Sequence, residues 1–177
     1  MNLLSRHSRP LVEAALFIEE VRRGHLWLPG DMSDCGPALI AAVHEAKAHN
    51  VSPLYVHVDT DNGDSGCWRL ARALEDFTKT SAHTVALVAA HNRAYSAGLV
   101  VLLACQRRVC NSRCFFGYHG SSLKCDRGED ERKAAWFAER TTLPEAEWLA
   151  MAEDGELRKF GPEQALAWGV VHEVTDE

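Results

Sequence analysis

The chain has 177 residues, of which 46% are hydrophobic and 25% are charged, and 19 basic against 25 acidic side chains leave a net charge of −6. This length suits one domain with an ordinary core, and the composition excludes a disordered chain. Basic and acidic residues are interspersed, which excludes the basic patch that nucleic-acid binding requires.

The first ten residues contain no apolar core of a signal peptide, and the most apolar segment, residues 97–105, is too short to span a bilayer. We therefore expect a cytoplasmic protein without a membrane partner. In that compartment the six cysteines are expected as reduced thiols rather than as a disulfide framework. No repeat or linker divides the chain, so we expect a single domain over residues 1–177 with its core in residues 23–174.

Apolar spacing and turn residues predict helices and strands that alternate along the chain. The predicted helices cover residues 11–22, 31–49 (capped by Asp31 or Ser33), 66–77, 97–105, 129–140 and 144–153. The predicted strands cover residues 25–28, 54–58, 84–90, 108–110, 114–118 and 170–174. This alternation implies an α/β fold with a mostly parallel sheet covered by helices. Functional groups in such sheets collect beyond the carboxyl ends of strands, here in residues 59–66 and 89–96.

Ser96 stands where a buried strand and a polar loop lead into an apolar helix. A hydroxyl at such a turn lies near the N–H groups of the first helical turn, which favour a developing oxyanion. The alternative is that Ser96 only caps the helix, as serine often does. The surrounding residues do not form a G-x-S-x-G motif, so the turn by itself leaves both interpretations open.

Residues 54–120 resemble the proteolytic subunit of Clp protease. In that family a strand leads into Ser-Pro-Gly-Gly, and here residues 54–58 lead into T-D-N-G at 60–63. The family's Ala-Ser-Met-Gly turn is similar to Y-S-A-G at 95–98, its histidine-ending strand matches residues 108–119 without a gap, and its closing helix and strand resemble residues 160–171. The resemblance implies a ClpP/crotonase-like spiral of β-β-α units.

The same resemblance implies the roles of four residues. Ser96 would be the nucleophile and His119 the base, while the backbone N–H groups of Gly63 and Ala97 would form the oxyanion hole. Gly63 suits that role because an amide without a neighbouring Cβ can approach a substrate carbonyl closely. The alternative for His119 is a structural histidine at the end of an aromatic-rich strand. No cofactor and no metal is implied.

The third member of the triad departs from the family pattern. The family's aspartate aligns on Leu157, so Glu156 or Asp154 is the candidate acid that would orient His119. The alternative is that both are solvated surface charges and that a Ser–His dyad acts alone. Asp61 and Asn62 replace the family's Pro and first Gly, and the stretch between His119 and residue 160 is shorter. A double-ringed barrel and extended-peptide binding are therefore not implied.

A metal site is the alternative interpretation of Cys110, Cys114, His119 and Cys125. Their C-x₃-C spacing along a strand and turn is poor for zinc, and no C-x₂-C pair exists. Buried thiols are the favoured interpretation.

These observations predict a peptidase-like serine hydrolase that cleaves an amide or ester of a peptide or small acyl substrate through an acyl-Ser96 intermediate. One alternative is a crotonase-like acyl-CoA hydratase or hydrolase. Another is a catalytically degenerate subunit with an assembly or regulatory role. Both related families assemble into rings or trimers, so a homo-oligomer is expected, and an unfoldase partner is left open.

Overall fold

The computed structural model describes residues 17–63, 65–80, 82–120, 127–153 and 155–176. The strands are β1 His25–Trp27, β2 Leu54–His57, β3 Thr84–Val88, β4 Arg93–Tyr95, β5 Arg107–Asn111, β6 Phe115–Tyr118, β7 Arg158–Phe160 and β8 Glu173–Thr175. The helices are α1 Gly36–Ala48, α2 Gly66–Thr78, α3 Ala97–Leu103, α4 Arg127–Ala138, α5 Glu145–Ala152 and α6 Pro162–Ala167. Residues 17–22 are also helical, and the rest of the helix predicted over 11–22 lies outside the described residues.

Two sheets carry these strands. The larger sheet has the order β1-β2-β3-β5-β8, and all of its neighbouring strands are parallel. The smaller sheet has the order β4-β6-β7, in which β4 and β6 are parallel and β7 runs antiparallel to β6. A mostly parallel sheet with helical crossovers confirms the predicted fold class.

Burial follows the sequence pattern that predicted each element. Along β2 the side chains alternate between buried and half-buried, with Leu54 and Val56 fully buried. Helix α2 buries one stripe, which includes Leu70 and Leu74, against the core. Helix α3 is buried over all seven residues, which explains why its sequence is apolar without a polar face. Each fully buried leucine stabilises the fold by roughly 1.5–3 kcal/mol.

Two short strands, β4 and β7, were not predicted. Strand β4 lies inside the segment that the sequence indicated as a polar loop, and its first residue, Arg93, is exposed. Strand β7 has only Phe160 buried among its three residues. Three residues are too few for a period-two pattern to appear, so pairing with β6 rather than local sequence defines both strands.

Thr60 joins the two sheets beside the predicted site. Its amide donates to the carbonyl of Arg93 at 2.8 Å, and its carbonyl accepts from the amide of Tyr95 at 2.9 Å. Its hydroxyl donates to the carbonyl of Pro29 at 2.7 Å, so this fully buried polar side chain has a partner. The loop that follows β2 is thereby held against the end of β4, next to Ser96.

An aromatic cluster packs α4 and α5 onto β6. The ring of Tyr118 lies 5.0 Å from Phe137 and 4.8 Å from Trp148, both in edge-to-face geometry. The Trp148 indole N–H donates to the hydroxyl of Thr141 at 3.0 Å.

Within the described ranges the longest helices have 13 residues, whereas a bilayer crossing takes about 20, so none of those helices could cross a membrane.

Candidate active site

Ser96 occupies a strained turn between β4 and α3. Its backbone has φ 48° and ψ −110°, a left-handed φ that non-glycine residues seldom adopt. The amide of Ser96 donates to the carbonyl of Gly117 at 3.0 Å, which extends the β4–β6 ladder by one residue. Ser96 stands at the N-cap position of α3, but its side chain makes no capping hydrogen bond. The simple capping interpretation therefore does not describe this serine.

The Ser96 hydroxyl instead contacts His119, which follows the end of β6. Ser96 Oγ and His119 Nε2 are 2.7 Å apart, which is hydrogen-bonding distance for a hydroxyl donor and an imidazole acceptor. Both side chains are partly buried. The structure thus brings together the two side chains that the sequence placed on separate elements.

The second ring nitrogen of His119 faces a backbone carbonyl. His119 Nδ1 is 2.6 Å from the oxygen of Gly120, and because a carbonyl can only accept, Nδ1 carries the proton. In a neutral imidazole Nε2 is then the acceptor for the Ser96 hydroxyl. Gly120 itself packs against α5, where an added Cβ would clash with the carbonyl oxygen of Ala152. The position therefore requires glycine.

The environment of His119 favours its neutral form. Burial is the largest influence and lowers its pKa, and the positive charge of Lys133 lowers it further. The hydrogen bond to Gly120 and the charge of Asp130 act in the opposite direction without outweighing them. A histidine whose pKa lies below its ordinary value is unprotonated, and therefore able to accept a proton, at neutral pH.

Gly63 packs closely against the side chain of Ala97. A Cβ added to Gly63 would stand 2.7 Å from the Cβ of Ala97, closer than real side chains approach. Ala97 is the first residue of α3, and amides in the first turn of a helix have no intrahelical acceptor. The structure therefore places Gly63 next to Ala97, the residue that follows Ser96. These are the two residues whose backbone amides are predicted to form the oxyanion hole.

The group facing His119 Nδ1 is the Gly120 carbonyl and not the carboxylate of Glu156. Glu156 is exposed and precedes β7 by two residues. Asp154 lies outside the described residues. The β6–β7 register pairs Tyr118 with Arg158, so its continuation by one residue places Leu157 opposite His119.

An apolar wall lies beside the Ser96–His119 pair. An added Cβ at Gly117 would meet the side chains of Tyr95 and Leu157, each at 2.9 Å. Gly117 is paired with Tyr95 in the β4–β6 register, and its missing side chain leaves room for Tyr95 and Leu157. Tyr95 is 8% exposed and Leu157 36% exposed, so an apolar surface borders the candidate site.

The cysteines of the alternative metal site are placed in the interior. Cys110 and Cys114 are both buried. The hydrogen bond with Cys110 is the largest cause that raises the pKa of Cys114, and burial raises it further. Cys125 lies outside the described residues. Within the described ranges no three His, Cys, Asp or Glu side chains gather in a way that could hold a metal ion.

Solved structures share this fold at low sequence identity. No protein-family model matches the chain, and no curated protein sequence matches it. A mutant of ClpP1 from Listeria monocytogenes superposes with a TM-score of 0.72 over 92% of this chain and 96% of that chain, at 13% identity. A second structure, described only as an enzyme, superposes with a TM-score of 0.73 over 89% of this chain and 98% of that chain, at 8% identity. The chain therefore has a ClpP-like fold.

Proposed function

We propose that this protein is a serine hydrolase in which Ser96 is the nucleophile and His119 is the general base. The observation that carries the proposal is the 2.7 Å contact between Ser96 Oγ and His119 Nε2. The Gly120 carbonyl supports it, because it selects the imidazole tautomer that accepts the serine proton. The strained backbone of Ser96 supports it as well, since strain of this kind collects at functional sites.

The proposed reaction transfers an acyl group to Ser96 and then to water. Ser96 Oγ attacks the carbonyl carbon of an amide or ester while His119 Nε2 takes the hydroxyl proton. The amides of Gly63 and Ala97 bind the oxygen that becomes negative in the tetrahedral intermediate. The imidazolium then gives its proton to the departing amine or alcohol. Water, deprotonated by His119, attacks the acyl-Ser96 and releases the acid, and the proton returns to Ser96.

The proposed dyad needs no carboxylate, and no step is assigned to Glu156 or Asp154. A carbonyl dipole holds the tautomer of His119 as a carboxylate would, but it stabilises the imidazolium less because it carries no full charge. We therefore expect slower acylation than in an enzyme with a complete triad.

The proposed substrate is a peptide or a small acyl compound, with its apolar part against the wall formed by Tyr95 and Leu157.

We also propose that the protein acts as a homo-oligomer. Trp27 and Phe115, which are 51% and 48% exposed, are candidate residues for a contact between subunits.

A fluorophosphonate probe, which reacts with activated serines, tests the proposal. Wild-type protein should be labelled, Ser96→Ala should not be, and His119→Gln should react at least about a hundredfold more slowly, since general-base catalysis contributes about that factor or more. Ser112→Ala is the matched control, because Ser112 is exposed on the β5–β6 turn and should label like wild type. Absence of labelling in folded wild-type protein, or equal labelling of Ser96→Ala, would refute the proposal and favour an acyl-CoA or non-catalytic role.

A further inference from the structure

Lys133 contacts the segment that carries the candidate base. The residue lies on α4, and its ammonium donates to the carbonyl oxygen of His119 at 2.6 Å. The same ammonium lies 4.8 Å from the ring centre of Tyr118, the residue before His119. A lysine engaged in this way is held in place rather than extended into solvent. The reaction proposed above does not use it.

The His119–Gly120 segment is held from two sides. Lys133 bonds it from α4, and Gly120 packs against the backbone of Ala152 on α5. This segment contains both the imidazole and the carbonyl that accepts from its Nδ1. A shift of the segment would therefore change the distance from His119 Nε2 to Ser96 and the orientation of the ring together.

We propose that Lys133 is the positioning residue of the base: its ammonium, bonded to the His119 carbonyl and placed over the Tyr118 ring, holds the His119–Gly120 segment and brings a positive charge to the residue that bears the imidazole. The inference rests on the proposed serine hydrolase function. A carboxylate behind a catalytic histidine holds the ring and stabilises the imidazolium at once. In this chain Lys133 holds the segment that bears the ring, but its positive charge destabilises the imidazolium. The base therefore stays unprotonated to lower pH.

The charged groups around the pair support this electrostatic role. Burial lowers the pKa of His119 most, and the charge of Lys133 lowers it further. Asp130, one turn before Lys133 on α4, raises it. The pKa of Lys133 is itself lowered by burial, against the charges of Asp130 and Glu129 on α4 and of Cys67 on α2. Lys133 is the one cation among these groups, and it bonds the His119 backbone, so its removal should change the protonation of His119.

Titration of His119 by NMR tests the inference without any substrate. In Lys133→Met, which keeps the apolar stem and removes the charge, the midpoint of His119 should rise by about half a pH unit, which is about threefold in its ionisation constant. Lys133→Arg keeps the charge and should keep the wild-type midpoint. Lys159→Met is the matched control, because Lys159 lies over the ring of Tyr95, at 5.5 Å from its centre, on the neighbouring strand. It should leave the midpoint unchanged.

The same variants report on catalysis through the pH dependence of probe labelling. The acid limb should move to higher pH in Lys133→Met by the same amount as the NMR midpoint, and Lys133→Arg should restore it. Lys133→Gln, which retains a donor, replaces the methionine variant if that one does not fold. An unchanged midpoint in both uncharged variants would overturn the inference. A shifted midpoint without labelling of any variant would leave the inference standing and refute the hydrolase function.

Discussion

Ser96 stores backbone strain at the point where the fold changes from strand to helix. A non-glycine residue with a left-handed φ costs of the order of 1–3 kcal/mol, and φ at Ser96 is 48°. Hydrogen bonds on both sides maintain the conformation, since the Ser96 amide donates to Gly117 at 3.0 Å and its carbonyl accepts from Val100 at 3.3 Å. The turn directs the hydroxyl towards His119 rather than towards the helix amides that a capping serine would bind.

This strain predicts an unusual order of stability among variants of Ser96. Glycine has no Cβ and adopts left-handed φ at little cost, so Ser96→Gly should be more stable than Ser96→Ala by about 1 kcal/mol. Both variants should lose probe labelling. Urea unfolding measures the difference in free energy.

Ser65 provides the matched control for that comparison. It stands at the N-cap of α2 with φ −58° and likewise makes no side-chain capping bond. At this ordinary φ glycine has no conformational advantage, so Ser65→Gly should not be more stable than Ser65→Ala. The same order of stability at both positions would show that the backbone of Ser96 is not strained.

At the scale of elements, long periodic segments could be predicted from the sequence and short paired ones could not. The continuous apolar run at Thr84–Val88 and the helical stripe in Gly66–Thr78 carry enough residues to show their period. Strands β4 and β7 have three residues each, and only their partners in the sheet define them. Tertiary pairing is not encoded in any local pattern of such segments.

The candidate site divides in the same way. Ser96 could be singled out as a candidate from its strand-to-helix turn, and the resemblance to the Clp protease subunit implied His119, Gly63 and Ala97. The Gly120 carbonyl could not be selected, because every residue has a carbonyl and only the backbone path shows which one faces Nδ1. Lys133 was missed because it lies among alternating charges on α4 that are typical of a solvated face.

The register of β6 and β7 sets which residue lies beside the base. With Tyr118 paired to Arg158, continuation of the register by one residue places Leu157 opposite His119. A carboxylate at residue 157 would stabilise the imidazolium. Leu157→Asp should therefore raise the pKa of His119 and accelerate probe labelling about three- to tenfold, with Leu157→Asn as the uncharged control. Equal rates in the two variants would contradict this register.

At the scale of the whole molecule, one buried arginine ties together the ends of three helices. Arg108 is 6% exposed, and its guanidinium donates to carbonyls at or just beyond the C-terminal ends of α3, α4 and α6. These acceptors are Leu103, Cys105, Arg140 and Gly169, at 3.4, 3.4, 3.1 and 2.9 Å. Helix C-termini carry partial negative charge and free carbonyls, so they can accommodate a buried cation.

His172 completes this arrangement and makes it sensitive to acid. Both of its ring nitrogens face donors of Arg108, with Nδ1 3.1 Å from the backbone amide and Nε2 2.9 Å from the guanidinium, and a neutral imidazole accepts from one of them. Protonation would remove the acceptor and place a second positive charge against Arg108. Desolvation and the charges of Arg108 and Arg107 accordingly lower the pKa of His172. Desolvation also lowers the pKa of His57, with a further contribution from His25.

These histidines predict how stability depends on pH. His57, His119 and His172 each have a folded-state pKa below the ordinary 6.5, so between that value and the folded-state pKa the unfolded chain binds more protons than the folded one. The contribution of these three histidines to the free energy of unfolding is therefore greatest above about pH 6.5 and is lost as the pH is lowered through their folded-state values. The urea midpoint measured from about pH 8 to about pH 5 should decline, and less steeply in His172→Gln, which cannot take up that proton. Exposed carboxylates such as Asp31 and Asp76, whose pKa values are lowered from 3.8, titrate below this range. A urea midpoint that stays constant down to about pH 5 would mean that the three imidazoles accept protons as readily in the folded protein as in the unfolded chain.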